Sequence, residues 1–137
     1  MERENLIAKA KNMRATAYVP YSQFPVGAAI KTASGNIYTG CNIENAAYPV
    51  SCCAERVAIF KAVADGEQSF REMAVSAGTE RPVPPCGSCR QVMSEFFGSD
   101  TTIYLTNTAN EIKIVTMNDL LPFSFHSDDI NTSQKRS

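Results

Sequence analysis

Apolar and polar positions alternate along the chain with periods that change several times, and each change marks a predicted element. Leu6, Ile7, Ala10, Met13, Ala17 and Tyr18 recur near helical spacing, which predicts an opening amphipathic helix over 5–18 that ends before Pro20. The runs "VGAAIKT" and "IYTGCNI", separated by "ASGN", predict two strands joined as a hairpin. "ENAAYPVS" reads as irregular. From Cys53 to Asp65 the spacing of Val57, Ile59, Phe60, Val63 and Ala64 predicts a helix, with Gly66 as its stop. "EMAVSAG" predicts a short buried strand, and "TERPVPP" a loop stiffened by proline. "CGSCRQVMSEFFG" places Val92, Met93, Phe96 and Phe97 on one side of a second long helix. "TTIYLT" and "IKIVT" are β-branched strands, "MNDLLP" is a short helix, and residues from about 127 to 137 form a polar tail expected to be mobile. The order αββαβαββα predicts one α/β domain spanning 1–137, with helices flanking a mostly central sheet.

Composition narrows the function classes. The chain is 44% apolar and 20% charged with a formal net charge of -1, and its lysines and arginines are scattered. It therefore presents no basic track for nucleic acid. No apolar run approaches the length of a membrane span, and "MERENLIAKA" carries charges where a secretory leader needs an apolar core. The expectation is a cytoplasmic protein without nucleic-acid or membrane partners. In that reducing compartment its five cysteines, Cys41, Cys52, Cys53, Cys86 and Cys89, are expected as thiols or metal ligands.

Cys86 and Cys89 form a C-x-x-C at the start of a predicted helix. Alone, that motif fits a redox pair, half a zinc ribbon or two core thiols. Cys53 begins the preceding helix, and helix starts expose unpaired N–H groups and partial positive charge that stabilise thiolates. Three such thiolates suit the soft, tetrahedral zinc ion. A fourth protein ligand is harder to find, because His126 lies beside the tail and Cys52 abuts Cys53. Three ligands plus an open position is the economical reading, and open zinc sites are catalytic. Glu55, two residues past Cys53, could then take a proton from a water at the open position and deliver it to a substrate nitrogen. Without the cysteines Glu55 would read as an ordinary first-turn glutamate favourable to the helix dipole. Arg56 and Arg90 each follow a ligand directly, and a guanidinium donating to sulfur would offset the excess thiolate charge; Arg56 is the favoured candidate.

The spacing Cys53-Ala54-Glu55 followed by Pro85-Cys86-Gly87-Ser88-Cys89 is that of zinc deaminases. Together "YSQFPVGAA", "GCNIENAAY", "CAER" and "PCGSCRQV" resemble the small, homotetrameric cytidine deaminases of nucleoside salvage, from about residue 14 to 125. The resemblance implies a three-layer fold with a mixed sheet of about five strands. It implies one zinc ion per subunit and hydrolysis of cytidine and 2'-deoxycytidine to the uridines and ammonia, by attack of metal-activated water at C4. It also implies that Asn42 and Glu44 hydrogen-bond a sugar hydroxyl, with Ile43 between them as a further substrate-binding residue, that Phe24 stacks on the pyrimidine, and that the backbone of Ala54 meets the base. Glu55 would shuttle protons. Neighbouring subunits of a homotetramer would contribute Ala46 and Tyr48 from one and Phe125 from another, although Phe24 and Phe125 as bare sequence features read as core or interface aromatics.

Two positions depart from the family pattern. Pro84 stands where the family has serine, and the doubled Cys52-Cys53 is unfamiliar, with Cys52 expected to pack as a small hydrophobe. The competing functions are deamination of a related nucleoside, nucleoside antibiotic or polynucleotide base, and a structural zinc module with a closed site of four ligands.

Overall fold

In the computed structural model, residues 2–82, 84–125, 127 and 129–130 are described. His126 and most of the polar tail lie outside them. The elements follow in the expected order: α1 (Glu2–Met13), β1 (Val26–Thr32), β2 (Ile37–Cys41), α2 (Ala54–Ala64), β3 (Phe70–Ala77), α3 (Gly87–Phe96), β4 (Thr102–Thr106), β5 (Ile112–Thr116) and α4 (Met117–Leu120). The strands form one mixed five-stranded sheet in the order β2-β1-β3-β4-β5.

Alternation along the strands sorts the core into two layers. Ala28 and Ile30 of β1, Met73 and Val75 of β3, and Ile103 and Leu105 of β4 meet Ala58 and Ile59 of α2 and Met93 of α3. Ala29, Ala74 and Tyr104 point to the other face and meet Leu6, Ile7 and Ala10 of α1. The result is three layers: α1, the sheet, then α2 with α3. Close approach is bought with glycine on both faces. A Cβ on Gly27 would lie 1.9 Å from the Ala10 carbonyl oxygen, and one on Gly40 would lie 2.5 Å from the Ala54 carbonyl oxygen. Gly40 thereby lets the first turn of α2 press directly on β2.

The first helix ends earlier than its apolar spacing suggests. It stops at Met13 and a 3-10 turn covers Arg14–Thr16. The cause is a competing use of the backbone: Tyr18 N–H donates to Asn42 O at 3.0 Å, and Tyr18 O accepts from Glu44 N–H at 2.9 Å. A residue bridged to an extended segment on both sides cannot continue a helix.

The topology also explains why residues more than thirty positions apart meet. Strand β1 runs antiparallel to both β2 and β3, so β2 and β3 run in the same direction. Each is followed by a helix on the same face of the sheet, α2 after β2 and α3 after β3. Both helices therefore begin at the edge where these strands end, which is where α/β sheets bind ligands.

Candidate metal and active site

Two helix N-caps meet at that edge. Cys53 is the N-cap residue of α2 and Cys86 that of α3, each with extended backbone. Cys89, in the first turn of α3, turns inward and is fully buried. The Sγ atoms of Cys53 and Cys86 are 3.8 Å apart, and those of Cys86 and Cys89 are 3.2 Å apart. All three lie within 4.8 Å of one another.

This donor set fits zinc. Sulfurs about 2.3 Å from a tetrahedral ion stand roughly 3.8 Å from each other, so a modest opening of the Cys86–Cys89 pair accommodates the ion. Among the described residues neither Cys52 nor Glu55 joins the cluster. Cys52 instead belongs to the scaffold: its N–H and carbonyl pair with Ile43 at 2.8 and 2.9 Å. Burial raises its thiol pKa, as expected of a packed rather than a ligating sulfur.

The three sulfurs differ electrostatically even before an ion is added. Hydrogen bonds from Cys89, Arg56 and Cys86 pull the Cys53 thiol down to about 5. The same sharing with Cys53, together with burial, pushes Cys89 up. One thiolate is thus favoured among the three, and a divalent cation would draw out the remaining protons. Arg56 Nη2 lies 3.5 Å from Cys53 Sγ and 3.3 Å from Ser51 O. Arg90 makes no hydrogen bond to sulfur in the structure; its guanidinium points to the carbonyls of Pro85 and Leu120. Of the two arginines read from the sequence, only Arg56 touches a ligand.

Beside the sulfurs lies a cavity of about 300 Å³ lined by Phe24, Val26, Asn42, Cys53, Ala54, Glu55, Val75, Ala77, Pro84, Pro85 and Cys86. Its volume suits a small heterocycle with its substituents. Glu55 is only 5% exposed, and burial drives its carboxyl up to about 7. A carboxyl poised near neutrality, in a cavity shared with two of the sulfurs, can both accept and release a proton. Cys53 and Cys86 face the cavity while Cys89 backs the cluster, so the open side of a three-sulfur site faces the same space as Glu55.

The remaining sequence candidates are distributed. Phe24 is 39% exposed at the cavity wall. Asn42 reaches the cavity, but its side chain is committed to backbone: Oδ1 accepts from Val26 N–H, and Nδ2 donates to Phe24 O, each at 2.9 Å. Ile43 is exposed and ties the strand segment to Tyr18 and Cys52 through its backbone. Glu44 lines a second depression, of about 360 Å³, with Tyr21, Ser22, Tyr48 and Ser51. There its carboxylate accepts from the Tyr21 and Ser22 N–H groups at 3.0 and 3.1 Å and from the Ser22 hydroxyl. Those bonds hold its pKa below the ordinary 4.5, the Ser22 hydroxyl contributing most. Ala46, Tyr48 (69% exposed) and Phe125 (59% exposed) stand outside the cavity of their own chain.

Sequence reasoning missed Ser22, whose hydroxyl also accepts from Phe24 N–H at 3.1 Å and so links Glu44 to the cavity wall. It sits inside the quoted stretch "YSQFPVGAA", which was the available clue. Val26, Val75 and Ala77 form apolar parts of the wall and read in sequence only as strand residues.

Comparison with known proteins gives a consistent answer. Residues 1–106 match the family described as the cytidine and deoxycytidylate deaminase zinc-binding region. The chain is 53% identical over 131 residues to a cytidine deaminase of Sporosarcina psychrophila, covering 96% of each chain. It is 49% identical to one of Halalkalibacterium halodurans, covering 96% of this chain and 99% of that one. The crystal structure of cytidine deaminase from Burkholderia pseudomallei superposes with a TM-score of 0.88 at 44% identity, over 91% of this chain and 100% of the other. With its three sulfurs gathered at two helix starts beside a buried carboxyl, the chain belongs to the cytidine and deoxycytidylate deaminase zinc-binding family.

Proposed function

We propose that the protein hydrolyses the exocyclic amine of cytidine and 2'-deoxycytidine, giving the uridines and ammonia. The observation that carries this reading is the buried Glu55 carboxyl in one cavity with Cys53 and Cys86. Zinc, when bound, supplies the positive centre that makes a water acidic enough to react near neutral pH. Cys53, Cys86 and Cys89 would hold the ion, and Arg56 would withdraw charge from the Cys53 sulfur.

Glu55 takes the proton released as water adds to C4 and passes it to the ring nitrogen N3. It then carries the proton of the new C4 hydroxyl to the amine, so that C4=O forms as the C4–N bond breaks and ammonia leaves. Burial raises the Glu55 carboxyl above its ordinary value, which suits a group that must both take up and give up protons. Phe24 stacks on the pyrimidine and the backbone of Ala54 meets the polar edge of the base, a reading supported by both residues lining the cavity that Glu55 shares. Asn42, by tying Val26 to Phe24, keeps that wall in place. Ile43 supports the segment, and Glu44 meets the sugar hydroxyls.

A free nucleoside suits the site better than a nucleotide, because the Glu44 carboxylate would repel a nearby phosphate. A polynucleotide base suits it least, given the net charge of -1. Assembly completes the reading. Ala46, Tyr48 and Phe125 expose surface away from their own cavity, as residues serving a neighbour's cavity in a homotetramer would. We place the enzyme in pyrimidine salvage in the cytoplasm, where reducing conditions keep the thiolates available. No helix among the described residues is long and apolar enough to cross a membrane.

Ammonia release from cytidine, deoxycytidine, cytidine monophosphate and free cytosine, with and without a strong chelator, tests the proposal. Chelator-sensitive turnover of the two nucleosides is expected. Chelator-resistant turnover would overturn the metal assignment, and equal use of the monophosphate would overturn the placement of Glu44.

A further inference from the structure

The segment that delivers Cys86 has an anchoring problem. Pro84 and Pro85 are consecutive prolines, so neither offers an N–H, and hydrogen bonds to their backbone can form only at the carbonyls. Cys86 itself is exposed, and the internal support of its sulfur in the helix cap is a contact from Cys89 N–H at 3.5 Å. A donor must come to the segment from elsewhere.

Arg90 is that donor. From one turn along α3, its Nε donates to Pro85 O at 2.8 Å, and its Nη1 donates to Leu120 O at 2.8 Å. Pro85 and Leu120 are both buried. Leu120 ends the four-residue helix α4, so its carbonyl is one that the helix leaves without an internal partner. The same guanidinium thus closes the end of α4 and fixes the residue before Cys86. Next to it, Gln91 Nε2 donates to Phe125 O at 3.1 Å. Helix α3 therefore grips the chain at 120 and again at 125.

We propose that Arg90 is a positioning residue for the metal site, a strut that fixes the Pro85–Cys86 backbone against α4 so that the Cys86 sulfur faces those of Cys53 and Cys89. The inference rests on the reading that these sulfurs hold zinc. It assigns the two arginines different work: Arg56 acts on a ligand sulfur, and Arg90 on the backbone that carries one. Lysine cannot replace it, because a compact ammonium lacks the planar fork that serves two separate carbonyls.

Competition for zinc by a chromogenic chelator tests this, with the visible spectrum of the cobalt(II)-loaded protein as a second readout and zinc-free melting as a control for general stability. Arg90→Ala and Arg90→Lys are both expected to bind zinc about 10–100-fold more weakly, the usual consequence of removing an outer support of a metal ligand. Their cobalt–thiolate bands should shift, while Gln91→Ala keeps the parental zinc affinity. Arg90→Lys retains charge and side-chain length, so it carries the test if Arg90→Ala does not fold. Parental zinc affinity and cobalt spectrum in Arg90→Lys would overturn the strut, whatever happens to melting. A parent protein that binds no zinc would overturn the underlying metal reading as well. Neither readout depends on nucleoside turnover, so failure of the substrate proposal is seen separately.

Discussion

The metal corner and the loop that carries Glu44 lie on one edge of the molecule and are built by opposite means. The corner is made from short local spacings: two helix caps, one first-turn cysteine and one first-turn glutamate. Cys89 and Glu55 are buried there, and packing behind them is dense. The loop is made from contacts between distant residues, with Glu44 accepting from Tyr21 and Ser22 and Asn42 bracing Val26 and Phe24. Its aromatic rings Tyr21, Phe24 and Tyr48 are exposed. The corner's three sulfurs and its carboxyl all come from one chain, whereas the loop leaves its aromatic rings exposed. Chemistry should therefore fail when the corner is altered, and substrate affinity when the loop is.

The largest effect should come from the corner's neighbouring cysteines. Cys53→Ser is expected to abolish stoichiometric zinc and all turnover, while Cys52→Ser keeps the metal, because Cys52 contributes backbone pairing to Ile43. Metal analysis of the two purified variants checks this; zinc in both, or in neither, would break the assignment. Next, Glu55→Gln should retain zinc and lower kcat by about 10²–10⁴, the range for general acid–base catalysis. Arg56→Ala should weaken zinc binding by about 10–100-fold, since it removes the donor to Cys53 Sγ.

How far each region could be read from the sequence follows the same division. Cys53 and Glu55, two positions apart, and Cys86 and Cys89, three apart, were legible as local spacings; the geometry that brings the two pairs together, β2 and β3 running in the same direction, is visible only in the fold. The order of elements along the chain, with helices flanking a central sheet, followed from periodicity, whereas the three layers and the mixed five-stranded sheet came with the family resemblance, and the strand order β2-β1-β3-β4-β5 only with the structure. The end of α1 was not legible, because Tyr18 is diverted into pairing with residues 42–44. The work of Arg90 was hidden for a related reason: its second acceptor, Leu120 O, lies 30 positions along the chain and is a carbonyl that any residue could supply. The Ser22–Glu44 pair, separated by 22 positions, left no local pattern either.

The smallest predicted effect sharpens the loop's side of the contrast. Glu44→Gln should raise the KM for cytidine more than it lowers kcat. The hydrogen bonds from Ser22 and Tyr21 hold the Glu44 carboxylate below its ordinary 4.5. Their contribution is therefore fully present above pH 4.5 and is lost as pH falls through the depressed folded value. The Ser22 amide resonance should titrate only below pH 4.5 in the parent and not in Glu44→Gln. A Ser22 shift centred above that pH would contradict the pairing.

The central claim is that three sulfurs hold one zinc ion and leave its fourth position open toward Glu55. X-ray absorption at the zinc edge measures this directly, combined with metal content per chain. The account predicts one zinc per chain with three sulfurs at about 2.3 Å and a single lighter, exchangeable neighbour. A shell of four protein ligands, or purified protein that takes up no zinc, would contradict it.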